Sequence, residues 1–445
     1  MTSHPARSTR PLVALLTASG VSLIGTRLSV IALPLFVLIT TGSATRTGLV
    51  AFVEMTPLVL AQAAAGPITD RIGPRRVSIV SDLVSGAVMA LIPILHAVDR
   101  LTFPVLLAIV GLLGLARGPG DGAKYVMVPG IAEASGQPPE RVLGLEDSMS
   151  RASSILGPLG AAALVAGLGA PTAIAFDAGS FVVAALVVAV GVRPPVGSAA
   201  SSADSDPAPY LRRLGSGLAF VRQDRLLRSI VYMVGTTNLL DQALSTVLVV
   251  VWARWQGGGA GLMGLVAASM GLGSVIGALT AASVGHRLPR RTTYTWSFFV
   301  VGGPRFLVLG LGAPLWVVLP VLFVGGLGAG TLNPILGAVE LERVPVHLRA
   351  RVMSVLTSAS QVLVPFGGVV GGLLTEQFGI RAALLACAAV YTSATLMPLF
   401  GRHWREMDRR PVRDPDGFAL TSADPPDPDG TTAGVSATAG AISSS

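Results

Sequence analysis

Four ionisable side chains interrupt long apolar runs near their middles: Arg27, Glu54, Asp241 and Arg305. A charge at the centre of a hydrocarbon layer costs about 2.5–3.5 kcal/mol on insertion scales, so such residues are retained for function or held by a partner. A dehydrated carboxylate can take up and release a proton as its surroundings change, and this chemistry falls to Glu54 and Asp241. A fixed cation can set a charge preference, which suits Arg27. Asn238, one turn before Asp241, and Asn333 could offer neutral hydrogen bonds to a substrate. Each charge could instead be neutralised by an opposite one and serve as a packing pin. Asp82 and Asp177 lie nearer the ends of their runs and read as structural.

The elements that must position these residues are membrane helices. Only 13% of the residues are charged and 51% are hydrophobic, too little polar surface for a water-facing body of 445 residues. Crossing a ~30 Å hydrocarbon core takes about 20 apolar residues. Twelve such stretches recur between positions 12 and 400. The first is too long for a secretory signal and is expected to be retained. Arg and Lys gather in alternate connections, and the positive-inside rule then places both termini in the cytoplasm. The net charge of +8 is thus explained by topology, with a lipid bilayer and no nucleic acid as partner. Of 32 basic residues 31 are Arg, a bias that reads as coding composition, with Lys124 the exception. The lone Cys387 excludes an intrachain disulfide.

The chain divides into a cytoplasmic N-terminus (1–11), a six-helix bundle (12–192), a linker (193–228), a second six-helix bundle (229–400) and a disordered cytoplasmic tail (401–445). The second half of the linker, with Leu211, Leu214, Leu218, Phe220 and Val221 among arginines, suits a helix lying along the membrane surface. Segment 138–160 aligns with 345–367 at a constant shift of 207 residues, and DRIGPRR at 70–76 has a shortened echo, HRLPRR, at 286–291. Such repeats commonly flank a path that opens alternately to each side.

The segment Gly66-Pro-Ile-Thr-Asp70-Arg71-Ile-Gly73-Pro74-Arg75-Arg76 closely resembles the G-x-x-x-D-R-x-G-R-R signature of the major facilitator superfamily, Pro74 being inserted before the arginine pair. Gly157-Pro158-Leu-Gly160 is similar to the superfamily's antiporter motif, with Ser153 and Ala161 in place of two glycines. AFDAGSF at 175–181 and LAFVRQDRLLRS at 218–229 resemble a branch of proton-coupled multidrug exporters that includes macrolide and siderophore efflux proteins. The resemblance implies an all-α polytopic protein of two pseudo-symmetric six-helix bundles, working as a monomer in the plasma membrane, the inner membrane of a cell with two. It also implies a substrate cavity lined by the first, fourth, seventh and tenth spans. Arg27, Arg117 and Asp241 would face that cavity with Asn238 and Asn333, whereas Arg305 stands on a span that is peripheral in the family and is kept as a second candidate. Asp70 would close the cytoplasmic side by meeting the start of the eleventh span near residues 349–352.

The expected function is proton-driven efflux of a small amphipathic compound by alternating access. The alternative is uptake of a small metabolite. No G-x-x-x-x-G-K-[ST] loop occurs, so the proton gradient is the energy source, with no cofactor and no metal. Two remote readings remain: a non-transporting sensor, and an intramembrane aspartyl protease built on Gly118-Pro-Gly-Asp121 and Phe176-Asp177. The protease order of these motifs is reversed here, and the expectation is that the chain is not an enzyme.

Overall fold

The computed structural model of the chain describes residues 9–192, 218–284, 290–344, 349–400 and 402–408, apart from some side chains within them. In lipid every backbone N–H and C=O must be satisfied internally, and a helix does this within one segment. The elements are α1 (Arg10–Thr41), α2 (Ala44–Ile72), α3 (Pro74–Ala97), α4 (Phe103–Ser135), α5 (Pro139–Leu168) and α6 (Ala170–Gly191). After 218–223, which are helical, come α7 (Arg225–Ala243), a π-helical segment (Leu244–Leu248), α8 (Val249–Trp255), α9 (Ala260–Val284), α10 (Arg290–Val301) and α11 (Gly303–Gly310). The chain continues with α12 (Leu315–Arg343), α13 (Arg349–Gln361) and α14 (Val364–Phe400).

Nine segments among the described residues are long and apolar enough to cross a membrane. The twelve expected spans divide the same helices more finely. α14 reverses at Gly379 (φ 80°, ψ 161°), α5 is apolar only over Leu156–Leu168, and the ninth expected span breaks between α10 and α11 at Gly302. Large side chains such as Leu279, Trp316 and Phe400 point outward, as a surface bathed in lipid requires. The chain is a multi-pass, all-helical membrane protein.

Among the first six helices α1 packs on α5 and α6, α2 on α4, and α3 on α4 and α6. Among the later ones α9 and α10 pack on α12, and α7 and α11 on α14. The two groups meet through α2 against α14 and α5 against α9. Both seams depend on missing side chains. A Cβ on Gly48 would lie 2.0 Å from the Gly368 carbonyl oxygen, and one on Gly264 would lie 2.5 Å from Ala162 Cβ.

The echo noted at 70–76 and 286–291 has a structural reason. Arg75 donates from Nε and Nη2 to the carbonyls of Val192 and Ala189, at the C-terminal end of α6. Arg291 donates to Pro398 at 3.0 and 2.7 Å and to Leu399 at 3.1 Å, at the end of α14. Each half thus clamps the terminal carbonyls of its last helix with a cation from the connection between its second and third expected spans, which also suits the negative end of the helix dipole. Gly73 (φ 90°) makes the turn that presents Arg75.

Residues 193–217 lie outside the described residues, but Val221 is buried with Leu227, Val344, Val352, Val355 and Leu356. This short helix docks Val221 onto the later helices and leaves Leu218 exposed.

Candidate functional site: the charged interiors of the two halves

On α4, Arg117, Asp121 and Lys124 follow at i, i+4 and i+7, which places them on one face. The glycines between them serve packing, since a Cβ on Gly118 would lie 2.8 Å from the Leu58 oxygen and one on Gly120 would lie 2.7 Å from Ser81 Cβ. α4 can therefore approach α2 and α3 closely enough for its charges to reach theirs. Arg117 Nη1 lies 3.5 Å from Glu54 Oε1 on α2. Its Nη2 donates to Thr26 Oγ1 at 3.2 Å, and its guanidinium stands over the Phe181 ring. Lys124 Nζ donates to Asp82 Oδ1 at 2.9 Å and lies 3.5 Å from Ser22 Oγ. Asp177 on α6 accepts from Ser29 Oγ and, at 3.2 Å, from Ser180 Oγ. Asp82 and Asp177 are both buried and belong to this interior.

The interior of the later helices holds the pair Asp241 and Arg305 among the described residues. Arg305 Nη2 on α11 donates to Asp241 Oδ1 on α7. The break before α11 makes the pair possible: Gly302 leaves room for the Tyr391 ring, whose edge would lie 1.7 Å from a Cβ there. Arg305 then packs its guanidinium by the rings of Phe306 and Tyr391, with Nη1 against Met270 Sδ. The Asp241 side chain is 37% exposed while that of Arg305 is 4% exposed, so the acid faces open space and the base stands behind it. A π-helical segment begins three residues after Asp241, a widening of the helix that is common beside functional groups.

The structure thus sorts the residues expected from sequence. Glu54 and Arg117 form one pair, Asp241 and Arg305 another. The Arg305 guanidinium is taken up by Asp241 and packed by the rings of Phe306 and Tyr391. Arg117 is turned into the first half. Asn238 Nδ2 is occupied by Ser360 O and Gln361 Oε1, each at 3.0 Å, and ties α7 to α13. The side chain of Asn333, on α12, lies outside the described residues. Arg27 is half-buried and makes no hydrogen bond or ion pair among the described residues. It owes its position to Gly157, where a Cβ would lie 2.3 Å from Arg27 Cβ. The neighbouring Pro158 supplies the carbonyl against which Gly264 packs, and Gly160 touches only Leu28. This motif therefore serves close helix packing.

Asp70 is exposed and makes no hydrogen bond or ion pair among the described residues. The side chains of 349–351, its expected partners, lie outside them. Gly66, Arg71 and Arg76 are exposed as well. The described seams between the halves lie toward the Arg-poor end. Phe52 packs on Phe366, Arg254 Nη1 donates to Leu38 O at 3.3 Å, and Glu376 accepts from Thr45 N at 3.0 Å, Thr45 Oγ1 at 2.7 Å and Ser43 Oγ. Sequence reasoning missed Glu376, Asp82, Lys124 and Asp177 as parts of such networks. The solitary lysine at the i+7 position of a charged stripe was the available signal.

A many-spanned helical chain with acid–base pairs inside each of two repeated halves has the make-up of a membrane transporter. The profile of the Major Facilitator Superfamily matches residues 15–258 and 231–431, and the chain belongs to that family. It is 30% identical to the multidrug efflux pump Tap of Mycobacterium tuberculosis over 412 residues, 91% of this chain and 97% of that one. It is 22% identical to macrolide efflux protein A of Streptococcus pyogenes, over 83% of this chain and 92% of that one. Among solved structures, the nucleoside transporter NupG superposes with a TM-score of 0.70 at 12% identity, covering 87% of this chain and 97% of that one. That likeness speaks for the fold.

Proposed function

We propose that the protein expels small amphipathic compounds across the plasma membrane in exchange for protons, with its Arg-rich side in the cytoplasm. The observation that carries the reading is that each half sets one carboxylate against a buried arginine. Glu54 with Arg117, and Asp241 with Arg305, are arrangements in which taking up a proton cancels the acid's charge and releases the arginine, so protonation is tied to repacking of α2 on α4 and of α7 and α11 on α14. Export rather than import is supported by likeness to efflux pumps along nearly the whole chain. Asp241, open on one side, is the group that a cationic substrate would meet first. Arg27 would favour acceptor-rich compounds on the opposite wall. The seams toward the Arg-poor end fit a state closed to the outside, and alternation would break the Glu376 contacts with Ser43 and Thr45.

The test is accumulation of a panel of antibiotics and dyes in cells with and without the protein. Lower accumulation of several amphipathic compounds, abolished by a protonophore, is the expected result. Raised accumulation would make the protein an importer and overturn the reading.

A further inference from the structure

Three cations in the charged interiors pair with acids, and they differ in what they can do. Arg117 and Arg305 are guanidinium groups, which keep their charge under all physiological conditions, whereas a lysine ammonium is able to give up a proton. Lys124 is the only lysine in the chain. It is 7% exposed and sits on Asp82, eight residues into α3, at a depth of about 12 Å from that helix's Arg-rich end.

Two further observations separate this pair from a packing pin. Asp82 uses Oδ1 alone, and its Oδ2 is buried with no hydrogen-bond partner among the described residues. A buried carboxylate kept only to hold helices together normally has both oxygens satisfied. Asp121, on the same face of α4 and three residues before Lys124, is exposed, so the stripe runs from a sealed pair to open space within one turn. The groups facing the pair are Ser22 on α1, Asp82 on α3, and Arg117 and Asp121 on α4; Glu54 on α2 and Asp177 on α6 stand beyond Arg117.

We propose that Lys124 is a proton carrier in its own right, held by Asp82 and opened to water past Asp121. The inference rests on the proton-driven reading and adds a site to it. In the carrier step one N–H bond of the ammonium breaks and the proton passes to water beside Asp121. The nitrogen keeps the electron pair and accepts a hydrogen bond from Ser22 Oγ, which had been an acceptor. Return of one proton from water restores the ion pair, and no other reactant is needed.

The first arm of the test needs no transport substrate. Full-length protein in liposomes is treated with acetic anhydride, which modifies only neutral, water-accessible amines, and Lys124, the one ε-amine, is followed by mass spectrometry. Acetylation in the folded protein is expected, faster by about tenfold in Asp82→Asn, where the charged form loses its partner. A lysine that reacts only after denaturation overturns the proposal. The second arm measures ethidium uptake into liposomes, under a pH gradient and as exchange at equal pH. Lys124→Arg keeps the charge but not the releasable proton, so driven uptake should fall at least about tenfold while exchange stays within about twofold. Driven uptake equal to wild type also overturns the proposal. Should arginine not be accommodated, Asp82→Asn combined with Lys124→Met decides: a packing pin survives this neutral replacement with driven uptake intact, whereas a carrier loses it. Wild-type protein that moves ethidium no faster with a gradient than without one removes the proton-driven reading and this proposal together. Failure confined to the variants' expected behaviour removes the proposal alone.

Discussion

The two halves share their scaffold and differ in their charges. Arg75 and Arg291 clamp the last helix of each half in the same way, and the α2/α14 and α5/α9 seams are built on glycine in both. Inside, the first half spreads Glu54, Asp82, Asp121 and Asp177 around Arg117 and Lys124, whereas among the described residues the second sets Asp241 against Arg305. A repeat therefore supplied the frame, and the chemistry was fitted to each half separately. In the first half one cation, Arg117, is shared by several acids. In an isolated pair each member depends on the other.

Breaking the isolated pair should cost most. Arg305→Met leaves Asp241 without a counter-charge and is expected to destabilise the second half by roughly 2–3 kcal/mol, less than for a sealed pair because Asp241 is partly open, with most of the loss recovered in Arg305→Met/Asp241→Asn. Thermal unfolding in detergent measures both, and a harmless single variant would remove the contrast between the halves. Glu54→Gln should cost less, about 1–2 kcal/mol, because Arg117 keeps Thr26, the Phe181 ring and its other acidic neighbours. The shared scaffold is examined by Arg75→Ala and Arg291→Ala, each expected to cost about 1–2 kcal/mol. A loss at one site only would show that the clamps are not equivalent. The smallest effect belongs to Glu376→Gln, which leaves one carbonyl oxygen as acceptor at the start of α2. Cysteine labelling at the Arg-poor end, in a Cys387→Ser background, should rise by no more than about threefold; unchanged labelling would dissociate Glu376 from closure.

Much of the frame was legible in the sequence because lipid imposes a simple code: apolar length gives helices, and arginine placement separates the two ends. Glu54, Asp241, Arg27 and Arg305 stood out for the same reason, as charges in the middle of apolar runs. Their pairing was not legible, since Glu54 and Arg117 lie on different helices and only the glycines of α4 bring them together. Asp82 and Lys124 were passed over because distance from a span's end measures depth but not direction, and both turn inward. Gly118-Pro-Gly-Asp121 carried a misleading likeness to protease chemistry, while its glycines serve the α4 seams and Asp121 stands exposed. The contacts of Glu376 join residues more than 300 positions apart, beyond the reach of any local pattern.

The central claim is that buried carboxylates in both halves couple substrate movement to protons. Its most direct test reconstitutes wild type, Glu54→Gln and Asp241→Asn in liposomes and follows ethidium under a pH gradient and by exchange at equal pH. The account requires gradient-driven movement in wild type, and its loss in both variants with exchange retained in at least one. Normal gradient-driven movement in both variants would contradict it.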